Sequence, residues 1–214
     1  MIVKIDDVGL QGLINNAAIG VAGPLEYVTM NTITDQFNVN VFAQIRVIQK
    51  FMPLLRKGKG RIINISSTNG FLSFPFMGIY CATKFALEAL SDALRLELKK
   101  WDIPVIVIVI NPDKIVSPMW QKSIQISNDK FGNLNQEAKD FYYEFYQKFI
   151  EAVNKIEKTA LPPIIVTRLV LKALNATNPK TRYLPGFETK ITYLISKYLP
   201  KKMLNKLIIK ELNL

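Results

Sequence analysis

The chain has 214 residues, 49% of them apolar and 21% charged, with 28 Lys+Arg against 17 Asp+Glu, one cysteine and no histidine. This composition fits one soluble globular domain with a sizeable core. It excludes an internal disulfide, Ser-His-Asp and Cys-His catalysis and any His-based metal site, and it argues against structural zinc.

In chain order, "MIVKIDDVG" lacks the apolar stretch of a signal peptide. No apolar run reaches the ~18 residues of a membrane span. With Cys81 as the lone thiol, the expected location is a reducing one, the cytoplasm. Leu10 to Ala17, "LQGLINNA", reads as a short buried strand. Asn31 to Leu55 has helical periodicity, with Val39, Phe42, Ile45, Ile48 and Met52 as its apolar stripe. "RKGKG" is a turn and "RIINIS" (61–66) a strand that runs into polar "STNG". Ile79 to Lys100 is a second helix, with Leu87, Leu90, Leu94 and Leu98 on one face. "IPVIVIVI" (103–110) is β-branched and apolar throughout, as a parallel strand covered on both faces requires. Residues 117–160 form an insertion containing "FYYEFYQKF". Thr167 to Asn175 reads as a helix, "TRYL" as a last strand, and 190–214 as a basic helical segment broken at Pro200. This alternation predicts an α/β doubly wound parallel sheet. Ligands of such sheets sit beyond the carboxyl ends of the strands. "NNA", "SSTNG" and "NPDKIVS" each follow a strand at that end.

A tyrosine and a lysine four residues apart share one helix face. An ammonium beside a phenol favours the phenolate, so the pair suits proton exchange near neutral pH. Three such pairs occur: Tyr80/Lys84, Tyr193/Lys197 and Tyr198/Lys202. Roughly one is expected by chance, so spacing alone does not choose. Surroundings do. Ser67 lies thirteen residues before Tyr80, whereas Lys180 and Pro185 hold that position for the other two. Asn40 lies on the preceding helix and "INNAA" ends the strand before it.

From about Leu10 to Ser123, "GLINNAAI", "QFNVNVFAQIRV", "GRIINISSTNG", "YCATKFALEALSDALRLEL" and "VINPDKIVSPMW" resemble the short-chain dehydrogenase/reductase family, nearest to its retinol and hydroxysteroid dehydrogenases. The resemblance implies a Rossmann-like domain over 1–214 and an NAD- or NADP-dependent oxidoreductase acting on an alcohol/ketone pair. Tyr80 would be the general acid/base. Lys84 would hold the ribose hydroxyls of the cofactor and depress the Tyr80 pKa. Ser67 would polarise the substrate carbonyl, and Asn40 would anchor the water of a proton relay. Asn15, Ala17 and Ala18 match the loop that lines the adenosine side. Pro112, Ile115 and Ser117 match the loop on nicotinamide and pyrophosphate. Two positions depart from the pattern: Ala18 replaces glycine, and Asp113 sets a carboxylate near the pyrophosphate.

The family also opens with a strand and a Gly-rich turn that seats the pyrophosphate. "GKGRII" is the nearest approach to it, lacks the third glycine and leads into a strand. The resemblance therefore implies an N-terminally truncated member, whose first strand here would expose an apolar edge. Three readings remain: the oxidoreductase, a non-catalytic remnant with impaired cofactor binding, and a basic module for membrane or nucleic acid. Of nucleic acid and small molecule, the small molecule is favoured, because acids interrupt the aromatic stretch. Phe141, Tyr142, Phe145, Tyr146 and Phe149 make 117–160 a substrate lid and imply an apolar substrate, unless they only pack the lid. Homo-oligomerisation is compatible with the sequence. For 190–214 there are two readings: a helix packed on the domain with a solvated basic face, or a helix lying peripherally in an anionic membrane interface.

Overall fold

The computed structural model describes residues 8–110, 118–157 and 162–211. Four strands form one parallel sheet: β1 (Gly12–Asn15), β2 (Arg61–Ser67), β3 (Val105–Ile110) and β4 (Arg182–Tyr183), in that spatial order. Register runs Ile14 to Ile63, Ile63 to Ile106, and Val107 to Arg182. The doubly wound α/β architecture read from the sequence is therefore the observed one. Within the described residues β1 is an edge strand, and Ile14 on it is exposed.

The helices that cover the sheet are α1 (Met30–Phe37), α2 (Ala43–Lys57), α3 (Gly78–Glu97) and α6 (Ile164–Asn175). Strand alternation divides the core in two. Ile62 and Val105 pack with Ile48, Leu55 and Leu98 from α2 and the end of α3. Ile63, Ile65, Ile106 and Ile108 pack with Ala173 of α6 on the other face. Val105 to Val109 are all buried, which is why that run carries no polar residue. At the amino ends of the strands, a Cβ on Gly60 would lie 2.2 Å from the Leu10 carbonyl. "GKG" is thus a close backbone crossing beside β1, with no cradle for a phosphate.

The single helix expected over 31–55 is interrupted. α1 passes through a π-helical turn, Asn38–Phe42, before α2 begins. A π turn adds one residue to the repeat and shifts the faces that follow. Phe42, at the end of this turn, is the one member of the expected apolar stripe that is exposed; Ile48 is buried as expected, and Gln36, Asn40 and Gln44 are buried beside it. On α3 and at its end the expected Leu87, Leu94 and Leu98 pack inward. Its buried row is Tyr80, Lys84, Leu87 and Ser91, and Leu90 is exposed.

The insertion folds as α4 (Pro118–Gly132) and α5 (Gln136–Glu157). Phe76 is the hub of their packing, with ring contacts to Tyr142, Phe145, Tyr146 and Phe149 at 4.7–6.2 Å between centroids. Phe131 and Tyr146 stack at 4.0 Å. The stretch "FYYEFYQKF" thus turns Tyr142, Phe145, Tyr146 and Phe149 toward Phe76, while Phe141 and Tyr143 are exposed. Phe141, expected in the lid's substrate face, is 71% exposed instead. The basic segment forms α7 (Gly186–Tyr198) and α8 (Lys201–Glu211), divided at Pro200.

Candidate active site

β2 ends at Ser67, and α3 carries Tyr80 and Lys84 back across the carboxyl ends of the strands. Ser67, Tyr80, Lys84 and Asn40 are all at most 3% exposed. The Lys84 ammonium donates to the Ile65 carbonyl at 3.1 Å and lies 5.7 Å from the centroid of the Tyr80 ring. Burial is the larger influence on this lysine and outweighs the nearby Glu88 carboxylate. Its pKa falls from 10.5 to about 8. The pair singled out from three by its surroundings is thus the buried one. Tyr198 is exposed on α7, and Tyr193 packs edge-on against Phe71 at 5.2 Å.

Ser67 is held by a residue that sequence reading quoted without a role. Its Oγ accepts from the Asn69 N–H at 3.1 Å and donates to Asn69 Oδ1 at 3.3 Å. The Asn69 amide in turn donates to Cys81 Sγ at 3.5 Å. Burial pushes the Cys81 thiol pKa up, so this sulfur is a packed neighbour and no nucleophile.

Asn40 acts as a clamp. Its Oδ1 accepts from the Ile19 N–H at 2.8 Å, and its Nδ2 donates to the Ile19 carbonyl at 2.7 Å and to Thr83 Oγ1 at 3.0 Å. Thr83 Oγ1 donates to the Tyr80 carbonyl at 2.7 Å. Two more amides on the same face continue the row. Gln36 brackets Val21, accepting its N–H at 3.0 Å, and Gln44 Nε2 donates to the Ala17 carbonyl at 3.2 Å. The 36/40/44 spacing is visible in the sequence, but an i, i+4, i+8 row of amides reads as a solvated face unless the π turn is known.

This row grips the loop that leaves β1. A Cβ on Gly20 would lie 3.2 Å from Tyr80 Cδ2, so glycine lets the loop run directly against the tyrosine ring. The Ala22 N–H donates to Ser127 Oγ of α4 at 2.8 Å. Ala22, Met77, Phe149, Ile150 and Val153 give the wall beside Gly20 its apolar character.

Of the loop residues expected on the adenosine side, Asn15 is buried. Its amide donates to Asn64 Oδ1 at 2.9 Å, and Asn64 donates on to Ser91. This chain ties β1, β2 and α3 together. Ala17 is exposed and Ala18 half-buried. Ala18 is not among the positive-φ residues, so alanine there strains nothing. Pro112, Ile115 and Ser117 lie outside the described residues, as does Asp113. Among the described residues no cluster of His, Cys, Asp or Glu is placed to hold a metal ion.

A parallel α/β sheet flanked by helices, with a buried Tyr-Lys pair at the carboxyl ends of its strands, is a Rossmann-like domain. The short chain dehydrogenase family model matches residues 4–127, and the chain belongs to that family. It is 35% identical over 210 residues to an NADPH-dependent 3-dehydrocapnine reductase of Ornithobacterium rhinotracheale, covering 95% of this chain and 71% of the relative. It is 33% identical over 205 residues to retinol dehydrogenase 16 of Mus musculus, covering 94% of this chain and 64% of the relative. Among solved structures, a short-chain dehydrogenase from Streptomyces avermitilis superposes with a TM-score of 0.67 at 22% identity, covering 98% of this chain and 73% of that one. The chain spans between 63% and 71% of the length of such curated relatives.

Proposed function

We propose that this chain is an NAD(P)-dependent oxidoreductase that interconverts an alcohol and its ketone or aldehyde. The observation that carries the reading is the buried Tyr80–Lys84 pair at the carboxyl edge of the sheet. An ammonium offers three hydrogens. Lys84 is seen to give one to Ile65, and its remaining donors suit the diol of a ribose. The nicotinamide cofactor supplies or accepts the hydride. Everything else falls to side chains of the protein. In reduction, Ser67 Oγ turns its proton from Asn69 Oδ1 to the substrate carbonyl; the existing bond is long at 3.3 Å and readily exchanged. Oxygen gains charge as the carbon gains hydride, and the Tyr80 hydroxyl delivers the proton that neutralises it. Lys84 stabilises the tyrosinate left behind. Reversal of these steps oxidises the alcohol. Asn40 fixes both Ile19 and, through Thr83, the Tyr80 backbone, and would hold the relay water beside Lys84.

The apolar wall of Ala22, Met77, Phe149, Ile150 and Val153 favours an apolar substrate. This agrees in kind with the retinol and 17-beta-hydroxysteroid names carried by relatives. The dinucleotide would lie along Ala17 and Ala18. The name of the reductase relative favours NADPH over NADH.

The test is nucleotide-dependent reduction of apolar ketones by the 214-residue chain, beside calorimetry with NADPH and NADH. Tyr80→Phe should lose turnover by roughly 10²–10⁴-fold with the fold unchanged, as removal of a positioned proton donor requires. Tyr198→Phe should leave the chemical step intact. Turnover that survives in Tyr80→Phe would overturn the assignment. Failure of the chain to bind either nucleotide would favour the non-catalytic reading.

A further inference from the structure

α7 is turned the opposite way from an ordinary surface helix. Its inward side is polar: Thr189 is buried, Thr192 and Ser196 are half-buried, and Tyr193 meets Phe71. Its outward side is apolar. Phe187, Leu194 and Tyr198 are 76%, 51% and 73% exposed, with Ile191 and Ile195 between them. These five positions step by i, i+4, i+7, i+8 and i+11 and fall within an arc of about 100°. α8 buries Leu204 and exposes Met203 and Leu207. Soluble proteins seldom leave such a stripe uncovered, and an exposed apolar patch rimmed by polar groups marks an interaction site.

The charge around the stripes selects the occupant. Lys190 and Lys197 run along one edge of the α7 stripe and Glu188 lies at the other edge near its start, while Lys202, Lys206 and Lys210 form an i, i+4, i+8 row beside Met203 and Leu207, all of them exposed. From 190 to 210 the sequence has no acid. The partner must therefore be apolar at its centre and anionic where the lysines end. A second copy of the chain would set these lysines against their own kind, which disfavours pairing through this face. Nucleic acid would satisfy the lysines but not Phe187 or Leu194. The acyl and headgroup layers of an anionic bilayer satisfy both. No described helix is long and apolar enough to cross a membrane, so the two would lie in the interface plane. Lys197, 5.6 Å from the Tyr198 ring centroid, has the stem-and-tip arrangement that suits this depth.

We infer that the outer faces of α7 and α8 form a docking surface for an anionic lipid membrane. The face is independent of the Tyr80 chemistry, so its test needs no turnover. The full chain is sedimented with vesicles of phosphatidylcholine alone and of equimolar phosphatidylcholine and phosphatidylglycerol, at low and high salt. Phe187→Trp adds a fluorescent reporter to the stripe. Binding should require the anionic lipid, weaken with salt and shift the reporter emission to the blue. Replacing Lys202, Lys206 and Lys210 by Gln should reduce partition on the order of 100-fold, at about five-fold per lysine. Ile191→Ser with Leu194→Ser should abolish the blue shift. All these positions are exposed, and circular dichroism should show each variant folded. A chain that ignores anionic vesicles at low salt overturns the inference. So does concentration-dependent self-association that Ile191→Ser with Leu194→Ser abolishes, which would make the stripe an interface between copies.

Discussion

Lys84 links function and stability through one proton. Its ammonium is charged below about pH 8 and buried at a cost; the unfolded chain keeps the ordinary value of 10.5. Between these values the unfolded state binds more protons than the folded one, so this residue's contribution to stability rises with pH across that window. The same loss of charge removes the group assigned to the ribose and to the tyrosinate. Nucleotide affinity should therefore fall above about pH 8 while this part of the stability increases. Lys84→Met should erase both trends in difference titrations against the wild type, and it should leave the melting temperature equal or higher. A variant with wild-type nucleotide affinity would dismiss the role given to Lys84. The residues of the proposed site could be named at this scale: Ser67, Tyr80 and Lys84 carry polar chemistry at a spacing that chance does not readily reproduce, and all three are buried. Asn69 was not legible, because a second asparagine after a serine resembles any turn, and only its bonds to Ser67 and Cys81 reveal its use.

Among the elements, the interrupted helix α1–α2 is the one whose sequence misleads. Its apolar residues have helical spacing throughout, and nothing in "QFNVNVFAQ" announces the extra residue of a π turn. Beside its buried aliphatic residues, Val41, Ile48 and Leu55, runs a buried row of amides, Gln36, Asn40 and Gln44. Asn40→Leu should orphan the Ile19 N–H and disturb the Thr83 contact, lowering unfolding free energy by about 2 kcal/mol in denaturant titrations. A neutral result would mean that the loop finds other partners. β4 is short but anchored by charge. Arg182 Nε meets Glu88 Oε2 at 2.9 Å and its Nη2 meets Asp92 Oδ2 at 2.7 Å, while Arg95 also pairs with Asp92. Burial alone would raise the Asp92 pKa, but these arginines hold it below its ordinary value. Arg182→Met should cost about 1–2 kcal/mol, since it takes the arginine from Glu88 while Asp92 keeps Arg95. The loss should be larger at neutral pH and shrink as acid protonates Asp92, whose carboxylate the arginines favour.

At the scale of the molecule, the order of strands and helices was readable because β3 is uniformly apolar and the helices carry periodic faces. What was not readable in some of these helices is which side faces inward. In α7 the five outer positions have the spacing of a core face, and only the fold shows that Thr189 and Tyr193 take that place. In α5 the aromatic run mixes core and surface, since Tyr146 is buried and Phe141 is not. The formal charge of +11 is concentrated partly on α7 and α8, where the lysines repel one another. Salt should raise the melting temperature of the isolated chain by screening this repulsion. The increment should shrink when Lys202, Lys206 and Lys210 are replaced by Gln. No dependence on salt would show that the row is already neutralised within the fold.

The loop from Ala17 to Ala22 has no ladder of its own, yet its backbone is not free to breathe. The N–H groups of Ile19, Val21 and Ala22 each end on a buried side chain: Asn40, Gln36 and Ser127. Amide protons in an irregular segment ordinarily exchange with deuterium within seconds to minutes, whereas those released only by wider opening persist far longer. These three should exchange as slowly as the amides of β2. Because Ser127 belongs to α4 and the other two belong to α1 and the π turn, their protection should be lost together if one opening event releases the loop and the insertion as a single unit.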